Sequence, residues 1–238
     1  LALLGRLGAP ARRVVAAMLA TDQPALVVGT HALFQDWLRF GRLGLVMVDE
    51  QHRFGVQQRL ALQEKGSGLA PHQLVLTATP IPRTLAMGLF ADLDVSVIDA
   101  LPPGRAGVRT VVLPARRRDE VAERVRAACR MGAQVYWVCP LIEDSEQAQG
   151  EAAEALFARL GEAFPDLRLG LVHGRLGSAQ RAAAMTAFAQ GALDVLVATT
   201  VIEVGVDVPK ATVMVVENAD RFGLAQLHQL RGRVGRGT

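Results

Sequence analysis

Four consecutive apolar residues, Leu45 to Val48, run directly into Asp49 and Glu50. The run predicts a buried parallel strand that ends in two adjacent carboxylates. Short apolar runs alternate with longer amphipathic stretches on either side of it. Upstream, the pattern predicts a helix over 10–20, with Ala11, Val14, Val15 and Met18 on its apolar face. A short buried strand over 25–28 follows, ending in Gly29-Thr30-His31, and then a helical stretch over 32–38. Downstream, a helix is expected over 56–65, a turn over 66–71 and a strand over 73–76 that ends in Thr77-Ala78-Thr79-Pro80. Pro82 suits a first helical position and predicts a short helix over 83–89.

The stretch ALPPGRAG at 100–107 concentrates proline and glycine and reads as a linker. Beyond it a second series begins, with strands expected over 109–113, 134–139, 168–172, 195–198 and 213–216. The helices between them are expected over 119–130, 151–160, 178–189 and 224–230, and the acidic stretch 143–150 reads as a solvated loop. Strand–helix alternation with polar or glycine-rich strand exits is the pattern of a parallel sheet covered on both faces. The fold class is therefore α/β, with two parallel-sheet lobes at 1–104 and 105–238 and a cleft between them. The first lobe has too few strands for a whole doubly wound domain and is expected to be incomplete.

Half of the 238 residues are apolar and 21% are charged, which predicts a globular fold and argues against disorder. All basic residues except Lys65 and Lys210 are arginine, yet the formal net charge is only +3. Their placement therefore says more than their number. Four arginines and no acid fall within 221–238, and eight arginines fall within 105–130 beside Asp119, Glu120 and Glu123. The second group reads either as a solvated helix face or as a contact for DNA. Cys129 and Cys139 fit no disulfide framework or metal site and read as reduced packing residues of a cytoplasmic protein. No run of 18 apolar residues is present, so no membrane span is expected. The apolar start superficially resembles a signal peptide, but Arg6, Arg12 and Arg13 interrupt it, and it reads as a beginning inside a longer protein.

In an open α/β sheet, ligands bind beyond the carboxyl ends of the strands. There Asp49 could hold Mg²⁺ through oxygen, and Glu50 could orient or deprotonate a water. Asp49-Glu50-Gln51-His52 and QLHQLRGRVGR (226–236) together resemble the second and sixth motifs of superfamily 2 helicases. GTHALFQ (29–35), DEQHRFGVQQR (49–59), TATPIPRTLAM (77–87) and DLDVSVIDALPPGR (92–105) narrow the resemblance to the RecG family of bacterial DNA helicases. It covers practically the whole chain.

The resemblance implies two RecA-like lobes that bind ATP and Mg²⁺ between them and move along duplex DNA. It implies substrates that are branched, such as stalled forks and Holliday junctions. Asp49 would coordinate Mg²⁺ and Glu50 would polarise the attacking water, while Gln51 and His52 would sense the γ-phosphate. Thr77, Thr79 and His228 would couple hydrolysis to motion. Arg233 and Arg236 would meet the γ-phosphate, supported by Asp207 and Gln229. Gly29, Thr30, His31, Arg83, His173, Gly174, Arg175, Thr199 and Thr200 would face the DNA backbone.

GxxxxGK[ST] is absent, since Lys65 follows Glu64 and Lys210 follows Pro209. Without that phosphate loop the chain alone is expected to be inactive. The wedge and C-terminal segments of the family are also missing and would be partners within the same longer protein. Two alternatives remain open on the sequence: an Mfd-like duplex translocase, and a non-catalytic lobe pair that binds DNA or protein.

Overall fold

The chain divides into two compact units, Leu1–Pro80 and Ile81–Thr238. The computed structural model describes residues 2–3, 8–21, 23–50, 65, 70–78, 94–100, 107–140, 146–199 and 208–236. Of residues 2, 3, 31 and 146–149 it describes the backbone alone.

In the first unit, β1 (Ala2–Leu3) pairs in parallel with β2 (Val28–Gly29), and α1 (Ala9–Leu19) lies between them in sequence. A single 3₁₀ turn, His31–Phe34, replaces the longer helix expected over 32–38. β3 (Leu45–Asp49) and β4 (His72–Leu76) form a second parallel pair, in register from Leu45↔His72 to Asp49↔Leu76. Leu19, Ala32 and Leu38 make a small core, with Val15, Val27, Leu33, Trp37 and Phe40 packed around it.

The strands of this unit are less buried than their apolar runs predict. Leu45 is 54% and Met47 57% exposed, and only Val46 of β3 is buried. Leu26 and Val28 are also exposed, so 25–28 is not the buried strand expected. Among the described residues each sheet here has only two strands. A parallel strand is covered on both faces only where neighbouring strands and crossover helices flank it. The helices expected over 56–65 and 83–89 fall largely or wholly outside the described residues.

The second unit holds a four-stranded, all-parallel sheet in the order β6-β7-β5-β8. Its elements are α2 (Arg118–Arg130), β5 (Gln134–Val138), α3 (Glu146–Ala163), β6 (Leu169–Val172), α4 (Ser178–Ala189), β7 (Val195–Ala198), β8 (Ala211–Val216) and α5 (Leu224–Arg231). Every residue of β5 and β7 is buried, as central strands of a doubly covered sheet must be. Consecutive residues of β5 point to opposite faces. Tyr136 meets Phe188 of α4 with ring centroids 4.9 Å apart, in a core that also takes Leu230 and Val234. Trp137 meets Phe164 at 6.0 Å on the other face, where Val125, Cys129, Leu156 and Leu160 pack.

Local sequence explains the helix ends. Asp119 and Glu120 occupy the first turn of α2 and Arg130 its last, which suits the helix dipole at both ends. Gln180 and Gln226 each accept the N–H of the glycine that starts their helix, at 3.2 and 3.1 Å. The expected strand over 109–113 is absent. Residues 107–114 form no ladder, and Val111 and Val112 stand exposed because no strand among the described residues pairs with them. Residues 146–150, expected in a loop, instead form the first turns of α3. The linker expected at 100–107 lies mostly outside the described residues. Among the described residues no helix is long and apolar enough to cross a membrane.

Candidate functional site

β3 carries Asp49 to the carboxyl edge of its sheet, and β4 ends at the same level. The next positions, Glu50 and Thr77, therefore leave adjacent strands side by side. Glu50 adopts φ +51°, a left-handed conformation that is costly for a non-glycine residue and clusters at functional turns. Its main-chain N–H donates to Asp49 Oδ1 at 2.9 Å, so one carboxylate oxygen holds the turn. Among the described residues no group of three metal-ligating side chains occurs. Mg²⁺ usually takes one or two carboxylates and completes its shell with water and phosphate oxygens. Asp49 is the residue that could hold the ion, with Glu50 beside it.

Gly29 ends β2 and Thr30 follows it; the only strand partner of β2 among the described residues is β1. Among the described residues that pair is separate from the sheet of Asp49, whereas the sequence predicts one shared sheet. Thr30 is exposed and its side chain caps nothing, although its carbonyl accepts the Leu33 N–H at 3.0 Å. The side chain of His31 is not described. Gln51, His52, Thr79, Arg83, Thr200 and Asp207 lie outside the described residues.

In the second unit, β6 and β7 pair with Val172 opposite Ala198, so His173 and Thr199 leave the sheet together. Both are buried, at 2% and 1% exposure, and not presented on the surface as a direct contact with DNA requires. Among the described residues neither His173 Nδ1 nor Thr199 Oγ1 has a hydrogen-bond partner. Gly174 and Arg175, by contrast, are exposed.

The arginine-rich end sits at the opposite edge of the sheet. Leu230 and Val234 anchor it in the core, and the Gly235 N–H reaches the carbonyl of Ala211, the first residue of β8, at 3.4 Å. Gly235 has φ +68°, which an L side chain adopts only with strain. Arg236 Nε donates to the Gly232 carbonyl at 2.8 Å, and Arg231 Nη2 to the Val108 carbonyl at 2.9 Å. Arg233 and Gln229 are half-buried and His228 is exposed. Arg236 and Lys210 line one open depression of about 740 Å³ together with Met131, Pro209 and Thr212.

The second basic stretch is largely committed to ion pairs. Arg117 and Arg124 both pair with Glu120, Arg118 with Glu217, and Arg126 and Arg130 with Asp166. The Arg126 guanidinium, with Arg130 beside it, pulls the Asp166 carboxyl down to about 2. These pairs favour the solvated helix face over the DNA contact. Cys129 and Cys139 are free and buried, and burial pushes both thiols up to about 11.

Sequence reasoning missed four residues. Lys65 Nζ donates to the carbonyls of Gln35 and Leu38 at 2.6 and 2.8 Å. Glu217 gathers Trp137, Arg118 and Arg159 at the end of β8. Glu154 contacts His173, and Lys210 sits near Arg236. The lysines were detectable as the only two in an arginine-rich chain. The glutamates carried no signal, because their partners are distant in sequence.

Residues 118–238 match the helicase conserved C-terminal domain. The chain belongs to that helicase family. It is 59% identical to the ATP-dependent DNA helicase RecG of Escherichia coli O127:H6 over 239 residues, which cover 99% of this chain and 34% of that protein. It is 53% identical to RecG of Thermotoga maritima over 220 residues, covering 92% of this chain and 28% of that one. The chain thus spans about a third of the length of the curated relatives it matches. Among solved structures it is similar to RecG bound to a three-way DNA junction, with a TM-score of 0.72 and 46% identity, over 99% of this chain and 30% of that one. The expected resemblance to RecG helicases is borne out. So is the expected fold class, with parallel sheets in both units and fewer strands per sheet in the first among the described residues.

Proposed function

We propose that this chain is part of the motor of an ATP-dependent DNA helicase that remodels branched DNA. The observation that carries the reading is 59% identity to a RecG helicase across 99% of the chain. The similar solved RecG is bound to a three-way junction, which supports forks and junctions as substrates. A helicase acting on bacterial DNA would work in the cytoplasm.

In this reading Asp49 would hold Mg²⁺ and Glu50 would orient the water for attack on the γ-phosphate of ATP. The ion would neutralise charge on the phosphates. Arg233 and Arg236 bind the γ-phosphate, with Gln51, His52, Asp207 and Gln229 supporting the nucleotide. Thr77, Thr79 and His228 link the nucleotide to DNA movement. Gly29, Thr30, His31, Arg83, Gly174, Arg175 and Thr200 contact the DNA backbone, while His173 and Thr199 act from beneath the surface. The 1–104 and 105–238 division would then separate two motor lobes. Lacking GxxxxGK[ST], the chain alone should bind DNA yet turn over ATP negligibly.

The test is ATP hydrolysis with and without forked DNA, in the chain and in a protein of the relatives' full length that carries it. An arginine finger contributes roughly 10³–10⁵ in rate. Arg236→Ala and Glu50→Gln should therefore each nearly abolish DNA-stimulated turnover in the longer protein. Turnover unchanged by Glu50→Gln would sink the assignment.

A further inference from the structure

Two contacts on one face of α3 hold the turn that follows β6. Glu154 Oε1 lies 3.5 Å from His173 Nε2. One helical turn earlier, the Arg175 side chain lies across Gly150. A Cβ there would collide with Arg175 Cδ and come within 3.0 Å of its Nη1. Residues four apart share a helix face, so Gly150 and Glu154 meet the same turn from the same side.

A neutral imidazole carries one N–H and one lone pair. His173 is buried, and among the described residues its Nδ1 has no hydrogen-bond partner. A buried N–H without an acceptor is the more costly orphan, whereas Nε2 has a carboxylate to face. The geometry therefore favours the proton on Nε2, directed at Glu154.

We infer that Glu154 is a positioning residue: it fixes the ring of His173 and thereby sets the course of the turn that presents Arg175. This rests on the DNA-motor reading only in taking that turn to face DNA. Arg175 is then the exposed cation for a phosphate oxygen, and His173 is the peg beneath it. Glu154 is half exposed and sits within a helix, so its truncation leaves no cavity. Alanine is also the best helix former.

The experiment uses the chain itself with Glu154→Ala and Glu154→Gln. Three quantities are measured: the ring ¹⁵N shifts of His173, the thermal midpoint, and affinity for a short DNA duplex at one salt concentration. In Glu154→Ala the Nε2-protonated signature should weaken and duplex affinity should fall about fivefold, while the midpoint falls only modestly, because the better helix propensity of alanine partly offsets the lost acceptor. Glu154→Gln retains an acceptor oxygen and should restore both the signature and the affinity. Unchanged His173 shifts in Glu154→Ala would overturn the proposal. So would full duplex affinity in that variant when the unsubstituted chain binds. If the unsubstituted chain does not bind the duplex, the DNA reading fails, and the ¹⁵N shifts still decide whether Glu154 orients His173.

Discussion

Trp137 donates its indole N–H to Glu217 at 3.1 Å, across the paired strands β5 and β8. Only 9% of the Glu217 side chain is exposed, and Arg118 and Arg159 both pair with it. Glu217→Ala leaves the buried indole N–H without an acceptor, a loss of about 1–3 kcal/mol. The two arginines are substantially exposed and can turn to water, so they add little. Urea unfolding followed by Trp137 fluorescence in a Trp37→Phe background should show that loss. An unchanged midpoint would remove Glu217 from the account.

Lys65 makes the corresponding contact in the first unit, where its ammonium bridges two main-chain carbonyls. Burial lowers its pKa, and Asp36 pulls in the opposite direction. Lys65→Met keeps the stem and deletes both charged hydrogen bonds, which should cost about 1–3 kcal/mol. The loss should register at Trp37, whose ring packs in the same small core, and not at Trp137. Equal shifts at both tryptophans would show that the two units do not unfold separately.

Acid stability should depend on Asp166. Its folded-state pKa of about 2 lies below the ordinary 3.8, because Arg126 and Arg130 stabilise the carboxylate. The stabilisation is therefore fully present above about pH 4 and disappears as the pH falls through about 2. Asp166→Asn should flatten the urea midpoint against pH across that window and leave the rest of the curve parallel. An unaltered acid limb would contradict the ion pairs.

The two thiols offer a check on packing. Raised to about 11, Cys129 and Cys139 remain protonated at pH 8 and are shielded by the core. A thiol reagent should label the folded chain slowly and take two equivalents at once in denaturant. Fast labelling of the folded chain would mean that the face bearing Trp137 opens readily.

What the sequence disclosed followed from how local the determinants are. The strands of the second unit were legible because Gln134–Val138 and Val195–Ala198 are short, β-rich and buried on both faces. Ser178–Ala189 emerged with its expected bounds. Residues 109–113 have the same apolar character but no neighbouring strand, and pairing cannot be read from one segment. Residues 143–150 read as polar loop, yet helix α3 extends back to Glu146. Asp49 and Glu50 were found at a strand exit as expected, whereas the contact of His173 with α3 is made nineteen positions earlier, at Glu154. Chemistry carried by one motif was visible in the sequence. Chemistry shared between motifs needed the fold.

The two edges of the second sheet hold different residues: His173, Thr199 and Arg175 at one, and the arginine-rich end tied to Ala211 at the other. Strands of four to six residues separate them by about 13–20 Å. The strands between are locked by aromatic contacts on both faces, and packed interiors do not deform continuously. The sheet therefore behaves as a strut. A displacement imposed at the arginine edge arrives at the opposite edge as a shift of the whole plate, so any bending must occur in the loops.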